Sequence, residues 1–297
     1  MRISPYLQLF GAQLAIGAAA IFARYALLGA GPIAVSALRL SIATLPVALL
    51  VLLTRRRVRI GRRREALLAL AGLLLAAHFA TWISSLLYTS VAIATLLVCT
   101  TPIWSKAYEC LVERKPLSRA TALGGCVAFG GLFTIGAQQY APAPIGGATT
   151  LGYLLATSGA IALALYFVIV RNAGIAPPSG ASISTPAIIL RSYAWAALAL
   201  IVLAVVRQQA PPALDNLPAW GGILAMALVS QSLGHTGMNA ALRHLAPSTV
   251  AMTTLLEPPI AAVLAALIFH EALTLQTTLG GMLVLAGVAL VLRSEAA

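Results

Sequence analysis

The chain has 297 residues, 60% of them hydrophobic and 9% charged, with a mean hydropathy of +0.95 and a formal net charge of +12. No soluble domain of this size buries so much apolar surface, so the composition excludes a soluble enzyme and points to a polytopic membrane protein. The positive charge does not indicate nucleic acid, because most of the basic residues fall between apolar stretches, where anionic lipid headgroups are the natural partners.

A spanning helix needs ~20 mainly apolar residues, since every backbone polar group inside hydrocarbon has to be paired within its own segment. Ten stretches satisfy this, so the predicted fold is all-α. The first runs from Tyr6 to Leu28 and reads as a spanning helix rather than a cleaved signal peptide. The second, Pro32 to Leu53, carries Arg39, which is expected to bind a helix end or to snorkel. The third, Glu65 to Tyr88, places His78 and Trp82 four residues apart, with Thr81 and Ser85 on adjoining faces. The fourth, Val91 to Val112, contains Pro102, Trp104 and the pair Lys106 and Glu109, whose spacing lets the two charges meet. Lys106 meeting a substrate carboxylate is the competing reading. The fifth, Arg119 to Gln138, is rich in glycine at 124, 125, 130 and 131.

The sixth, Thr150 to Val170, holds Tyr166, and the seventh, Ser182 to Val206, holds Arg191 and Trp195. In the eighth, Pro218 to Leu242, Gln231, His235 and Asn239 recur every four residues on one helical face. That face either lines a central cavity or forms an interhelical hydrogen-bond seam. The ninth, Pro247 to Phe269, contains Glu257 near its midpoint, followed by Pro258 and Pro259, which interrupt the helical ladder and free carbonyls. Glu257 is a candidate for a substrate ammonium or a coupling proton, against a structural role beside the kink. The tenth, Thr274 to Leu292, repeats the glycines at 280, 281 and 287. Glycines on the fifth and tenth segments mark them as closely packed struts away from the solute path. Trp82, Trp104 and Tyr166 lie deeper than the interfacial aromatic residues and offer flat apolar surface if they face a cavity.

The Arg-rich run from Thr54 to Arg64 joins the second and third segments, and by the positive-inside rule it and both termini are expected in the cytoplasm. Cys99, Cys110 and Cys126 lack metal-ligand spacing and read as packing residues; no metal or cofactor is implied. His270-Glu271 begins like a zinc-protease motif, but Thr274 stands where the second His belongs, and the chain is not read as an enzyme.

The chain repeats itself. Pro102 and Pro258 lie 156 residues apart, and the same displacement carries Gly124-Gly125 onto Gly280-Gly281 and Gly131 onto Gly287. At the same displacement residue 78 falls on Gly234, beside His235, and shorter displacements pair Arg39 with Arg191 and Arg24 with Arg171. Five segments per copy is an odd number, so the copies enter the membrane from opposite sides: residues 1–140 form the first five-helix repeat and 148–297 the second, in one transmembrane domain. Pro102 and Pro258 are then equivalent candidate bends. A duplicated scaffold without transport is the alternative.

The stretch Leu87-Tyr88-Thr89-Ser90-Val91-Ala92, the Leu256-Glu257-Pro258 step, the Glu271-Ala272-Leu273-Thr274 turn and Gly280-Gly281 resemble the drug/metabolite transporter superfamily, specifically its ten-helix EamA-type exporters. One departure is that Lys115 stands where the first half of the family pattern has Glu, with Glu113 two residues earlier. Within the family, His78 and the nearby Trp residues are most similar to bacterial aromatic amino-acid exporters. The resemblance implies an inner-membrane exporter of small amphipathic metabolites such as amino acids; the inverted repeat adds the expectation of alternating access, and membrane lipids are the expected surroundings of a chain that can act as a monomer. A sugar-phosphate or nucleotide-sugar exchanger is the rival. The residues expected to touch substrate are His78, Trp82, Trp104, Tyr166, Gln231, His235, Asn239 and Glu257.

Overall fold

The structure is a computed structural model and describes residues 4–54, 60–137, 149–174, 183–269 and 273–296. All regular structure among them is helical. Eight helical stretches are long and apolar enough to cross a membrane: Pro5–Ala26, Pro32–Leu53, Arg62–Ser85, Arg119–Gly136, Thr150–Gly174, Thr185–Val206, Leu217–Ala241 and Leu275–Ser294. Large apolar side chains such as Leu53, Leu111, Phe133 and Val205 point outward, as a lipid-facing surface requires. Part of the Arg-rich run, His270 to Ala272 and both predicted repeat boundaries, 140 and 148, lie outside the described residues.

The other two predicted segments are broken helices. In the first half α5 (Val91–Val98) and α6 (Thr101–Leu111) flank Cys99 and Thr100. Pro102 has no N–H to give the carbonyl of Val98, and the Thr101 hydroxyl takes that place at 2.7 Å. In the second half α12 (Pro247–Met252) passes through a 3-10 turn (Thr253–Leu256) into α13 (Glu257–Phe269). Here Pro258 leaves the carbonyl of Thr254 without its helical donor, and the thiol of Cys99, from the opposite break, donates to it at 3.4 Å. The two interruptions therefore touch.

The remaining helices are α1 (Pro5–Gly17), α2 (Ala19–Ala26), α3 (Pro32–Leu53), α4 (Arg62–Ser85), α7 (Arg119–Ala137), α8 (Thr149–Gly174), α9 (Thr185–Val206) and α14 (Leu275–Ala296). The eighth span comprises α10 (Leu217–Ala225), a π-helical stretch from Met226 to His235, and α11 (Thr236–Ala241).

The packing is reciprocal. α1 and α2 lie against the eighth span, and α8 lies against α4; α3 packs on α9, and α7 on α14. The seam between α7 and α14 carries the clearest signature. A Cβ on Gly131 would come 2.5 Å from the carbonyl of Gly280, and one on Gly287 would come 2.4 Å from that of Gly124. Gly280 is the counterpart of Gly124, and Gly287 that of Gly131, so each glycine meets the counterpart of the other. Two equivalent strips in opposite directions give this pattern. Gly125 and Gly281 make ordinary contacts at 3.5 and 3.4 Å, and Gly130 has open space, so these three are not close-packing residues as expected.

Burial refines the register between halves. α3 and α9 match end to end at a displacement of 153, which pairs Arg39 with Ser192 rather than with Arg191. Both Arg39 and Ser192 are fully buried, whereas Arg191 lies on the surface and pairs with Glu65 at 3.4 Å. A one-residue slip on a helix turns a side chain by about 100°, and that is the difference between interior and surface here. α4 and the eighth span match at 155 upstream, Leu68 with Ile223 and Leu75 with Ser230, and at 156 downstream, Phe79 with His235 and Trp82 with Met238. The π-helical stretch absorbs the extra residue.

Candidate functional site

Where the halves meet, polar side chains are enclosed on all sides. Arg39, seven residues into α3, has no exposed surface. Its Nε donates to Oε1 of Gln231 at 2.9 Å, and its guanidinium carbon stands 4.0 Å from the centre of the Phe79 ring. The snorkelling expected for Arg39 does not occur: the side chain runs into the bundle, because its position faces the eighth span and not lipid.

Around it the two histidines converge. The rings of His78 and His235 are 6.2 Å apart, and Phe79 meets His235 edge to face at 5.2 Å. Trp82, one turn along α4, lies nearly parallel to His78 at 6.2 Å with an interplanar angle of 5°. His78 Nδ1 is 3.0 Å from the carbonyl of Gly159, and because a carbonyl only accepts, Nδ1 carries the proton and a neutral ring keeps Nε2 as an acceptor. The π-helical stretch sets the positions of Gln231 and His235. Its wide turn leaves the Gln231 carbonyl to accept from the hydroxyls of Thr236 at 3.3 Å and Tyr193 at 3.5 Å.

Several buried polar atoms here have no protein partner among the described residues: both terminal nitrogens of Arg39, Nε2 of Gln231, Nδ1 of His235, both amide atoms of Asn239, Nε1 of Trp82 and the hydroxyl of Tyr166. Buried polar groups are almost always bonded, so such a concentration marks a place where a polar guest or water completes the bonding. Tyr166 faces Ser192 and Asn239. Asn239 also lines a pocket of about 270 Å³ that opens at one end of the bundle among Arg171, Thr185, Arg243 and His244. The Arg243 guanidinium at its rim bonds to the carbonyl of Ile183.

The sequence-predicted residues thus divide. His78, Trp82, Gln231 and His235 come together around Arg39, and Asn239 and Tyr166 form the adjoining edge towards the pocket. Glu257 is half-buried at the start of α13, and its charge and that of Arg39 act on one another without reaching ion-pair distance. Trp104 stands apart, 37% exposed, with Nε1 donating to Thr100 on its own helix at 3.2 Å. Pro102 and Pro258 each lie just inside the second half of a broken helix. Lys106 pairs with Glu109 at 3.2 Å, and Glu109 also accepts from the Ser248 N–H at 2.9 Å and hydroxyl at 2.7 Å, capping α12 from the other half. At the equivalent position Ser90 caps α5 itself, accepting from Ile93 at 3.2 Å, whereas Ala246 before α12 has no side chain for the task.

Sequence reasoning drew its candidates from the third, fourth, sixth, eighth and ninth segments and took none from α3 and α9, which supply Arg39, Ser192 and Tyr193. A cation in the middle of an apolar stretch was the available signal. Trp195 lies on the exposed side of α9, with Nε1 donating to Glu65 at 2.9 Å.

Among solved structures, 29 chains match, including one described as a crystal structure of a protein, which superposes with a TM-score of 0.79 over 100% of this chain and 99% of its own at 16% identity. That likeness extends to the fold. No curated protein matches the sequence. The profile of the EamA-like transporter family matches twice, over residues 3–137 and 150–293, one match for each half. With nearly the whole chain covered by two copies of that profile, the protein belongs to the EamA-like transporter family.

Proposed function

We propose that this protein exports small amphipathic metabolites, foremost amino acids and among them aromatic ones, across a bacterial inner membrane by alternating access. The observation that carries the reading is the cluster of buried, unbonded polar atoms flanked by the His78, Phe79 and Trp82 rings at the junction of the halves. An amino acid has the matching duality, a charged head and an apolar side chain. The rings take the side chain, while Gln231, His235, Asn239 and Tyr166 supply polar contacts to the head, and Glu257 meets the ammonium group. The enzyme reading has no support in a family of transporters.

In this reading the two broken helices complete ten crossings, residues 1–140 and 148–297 are oppositely oriented repeats, and both termini are cytoplasmic. The interruptions before Pro102 and Pro258 are the bends about which the halves exchange shapes. Lipids surround a monomer. The experiment is efflux of labelled tryptophan, phenylalanine, threonine and a sugar phosphate from proteoliposomes, with and without a proton gradient. Flux of the amino acids supports the reading; flux of the sugar phosphate alone overturns it.

A further inference from the structure

We infer that Arg39 is the residue that grips the solute's anionic group, and that the group it is built for is a carboxylate. This deepens the proposed export of amino acids and rests on it for the identity of the cargo, not for the anionic preference itself.

Three features set Arg39 apart from a packing residue. Its guanidinium carbon sits over the Phe79 ring and its Nε is tied to Gln231, so the group is held at two points. Both terminal nitrogens are buried and bear N–H groups with no acceptor among the described residues. A planar fork with parallel N–H groups held in one orientation is the complement of a carboxylate, which accepts two such bonds side by side. Glu257, the acidic group whose charge Arg39 feels, does not occupy the fork.

The unbonded atoms nearby reinforce the preference. Asn239 at the adjoining edge presents an amide donor and an amide acceptor, while Gln231 Nε2 and Trp82 Nε1 only donate. A guest rich in acceptors satisfies them together with Arg39, whereas a neutral polyol leaves the buried positive charge uncompensated. The anchor is also one-sided. The counterpart of Arg39 in the other half is Ser192, so the pseudo-symmetric centre holds a single anion clamp and orients the solute with its acid group towards α3.

The test loads proteoliposomes with a mixture of proteinogenic amino acids, their carboxamides and sugar phosphates, and reads efflux by mass spectrometry for wild type, Arg39→Gln, Arg39→Lys and the surface control Arg191→Gln. Thermal unfolding of the detergent-purified proteins with the same compounds reads binding directly. Wild type and Arg191→Gln are expected to move the acids at least ~10-fold faster than the carboxamides, and Arg39→Gln to bring the two within about twofold by losing the acids. Arg39→Lys keeps the charge without the fork and falls between. Equal movement of acids and carboxamides by wild type, or an unchanged preference in a folded Arg39→Gln, overturns the anchor and leaves transport standing. Sugar phosphates moving alone, and only with Arg39 present, overturns the amino-acid reading and leaves the anion clamp standing. If Arg39→Gln fails to fold, the wild-type preference and the Arg39→Lys comparison still decide.

Discussion

The ring of Phe79 and the imidazole of His235 meet edge to face at 5.2 Å, and the two residues are each other's counterparts in the two halves. Contact between counterparts places them beside the pseudo-symmetry axis, where one half supplies a pure aromatic surface and the other a ring that donates and accepts. Phe79 also carries the Arg39 guanidinium. Phe79→Leu keeps most of the volume and removes the ring contacts with His78, His235 and Arg39. Proteoliposome flux should fall roughly tenfold, equivalent to about 1.4 kcal/mol, with folded yield retained on size-exclusion chromatography.

His78, Trp82 and His235 each present part of the same wall, so alanine at any of them is expected to lower flux by roughly tenfold or more. Trp104→Ala, away from that wall, should have a smaller effect. Full activity in all three wall variants would remove the proposed contact surface.

Glu257→Gln keeps shape and hydrogen bonding while abolishing the negative charge. If the carboxylate meets the substrate ammonium, flux of zwitterionic amino acids should drop by about tenfold, while acids lacking the amine pass unchanged. Loss of gradient dependence in the same variant would assign it the coupling proton instead.

Glu109 links the halves at one end, bonding Ser248 through both its N–H and its hydroxyl. Glu109→Ala should destabilise the protein by about 1.5–3 kcal/mol, and Ser248→Ala, which keeps the N–H bond, by about 1 kcal/mol. In the double variant the losses should be less than additive. Reversible unfolding in mixed micelles measures all three.

Adjacent glycines give the sharpest contrast. Gly131→Ala drives a methyl into the carbonyl of Gly280 and should cost about 1–3 kcal/mol. Gly130→Ala, in open space and on an exposed helix face, should be neutral or stabilising by up to ~1 kcal/mol. Thermal unfolding of the two variants settles it.

Eight of the ten predicted spans, and the helix interruptions beside Pro102 and Pro258, were legible because apolar length and proline act locally. The second predicted span needs no correction at either end, Pro32–Leu53, since Pro32 opens α3 and Thr54 is its C-cap. The site was legible in part. His78, Trp82, Gln231 and His235 announced themselves as polar or aromatic groups at four-residue spacing. Arg39 was visible but assigned to the wrong face, because matching it to Arg191 by residue identity puts the register one position off. The π-helical stretch leaves no local mark: the extra residue shows only when both halves are compared by burial. The cap from Glu109 to α12 was beyond reach for a related reason, since it joins residues 139 positions apart whose meeting depends on how the halves dock.

The glycine seam between α7 and α14 restricts how this molecule can change shape. Backbone atoms at Gly124, Gly131, Gly280 and Gly287 are so close that neither helix has room to slide or roll along the other without collision. In the proposed alternating access, the halves therefore tilt about this strip as a fulcrum, with the largest excursions farthest from it. The two helices least involved with solute are in that sense the ones that define its trajectory.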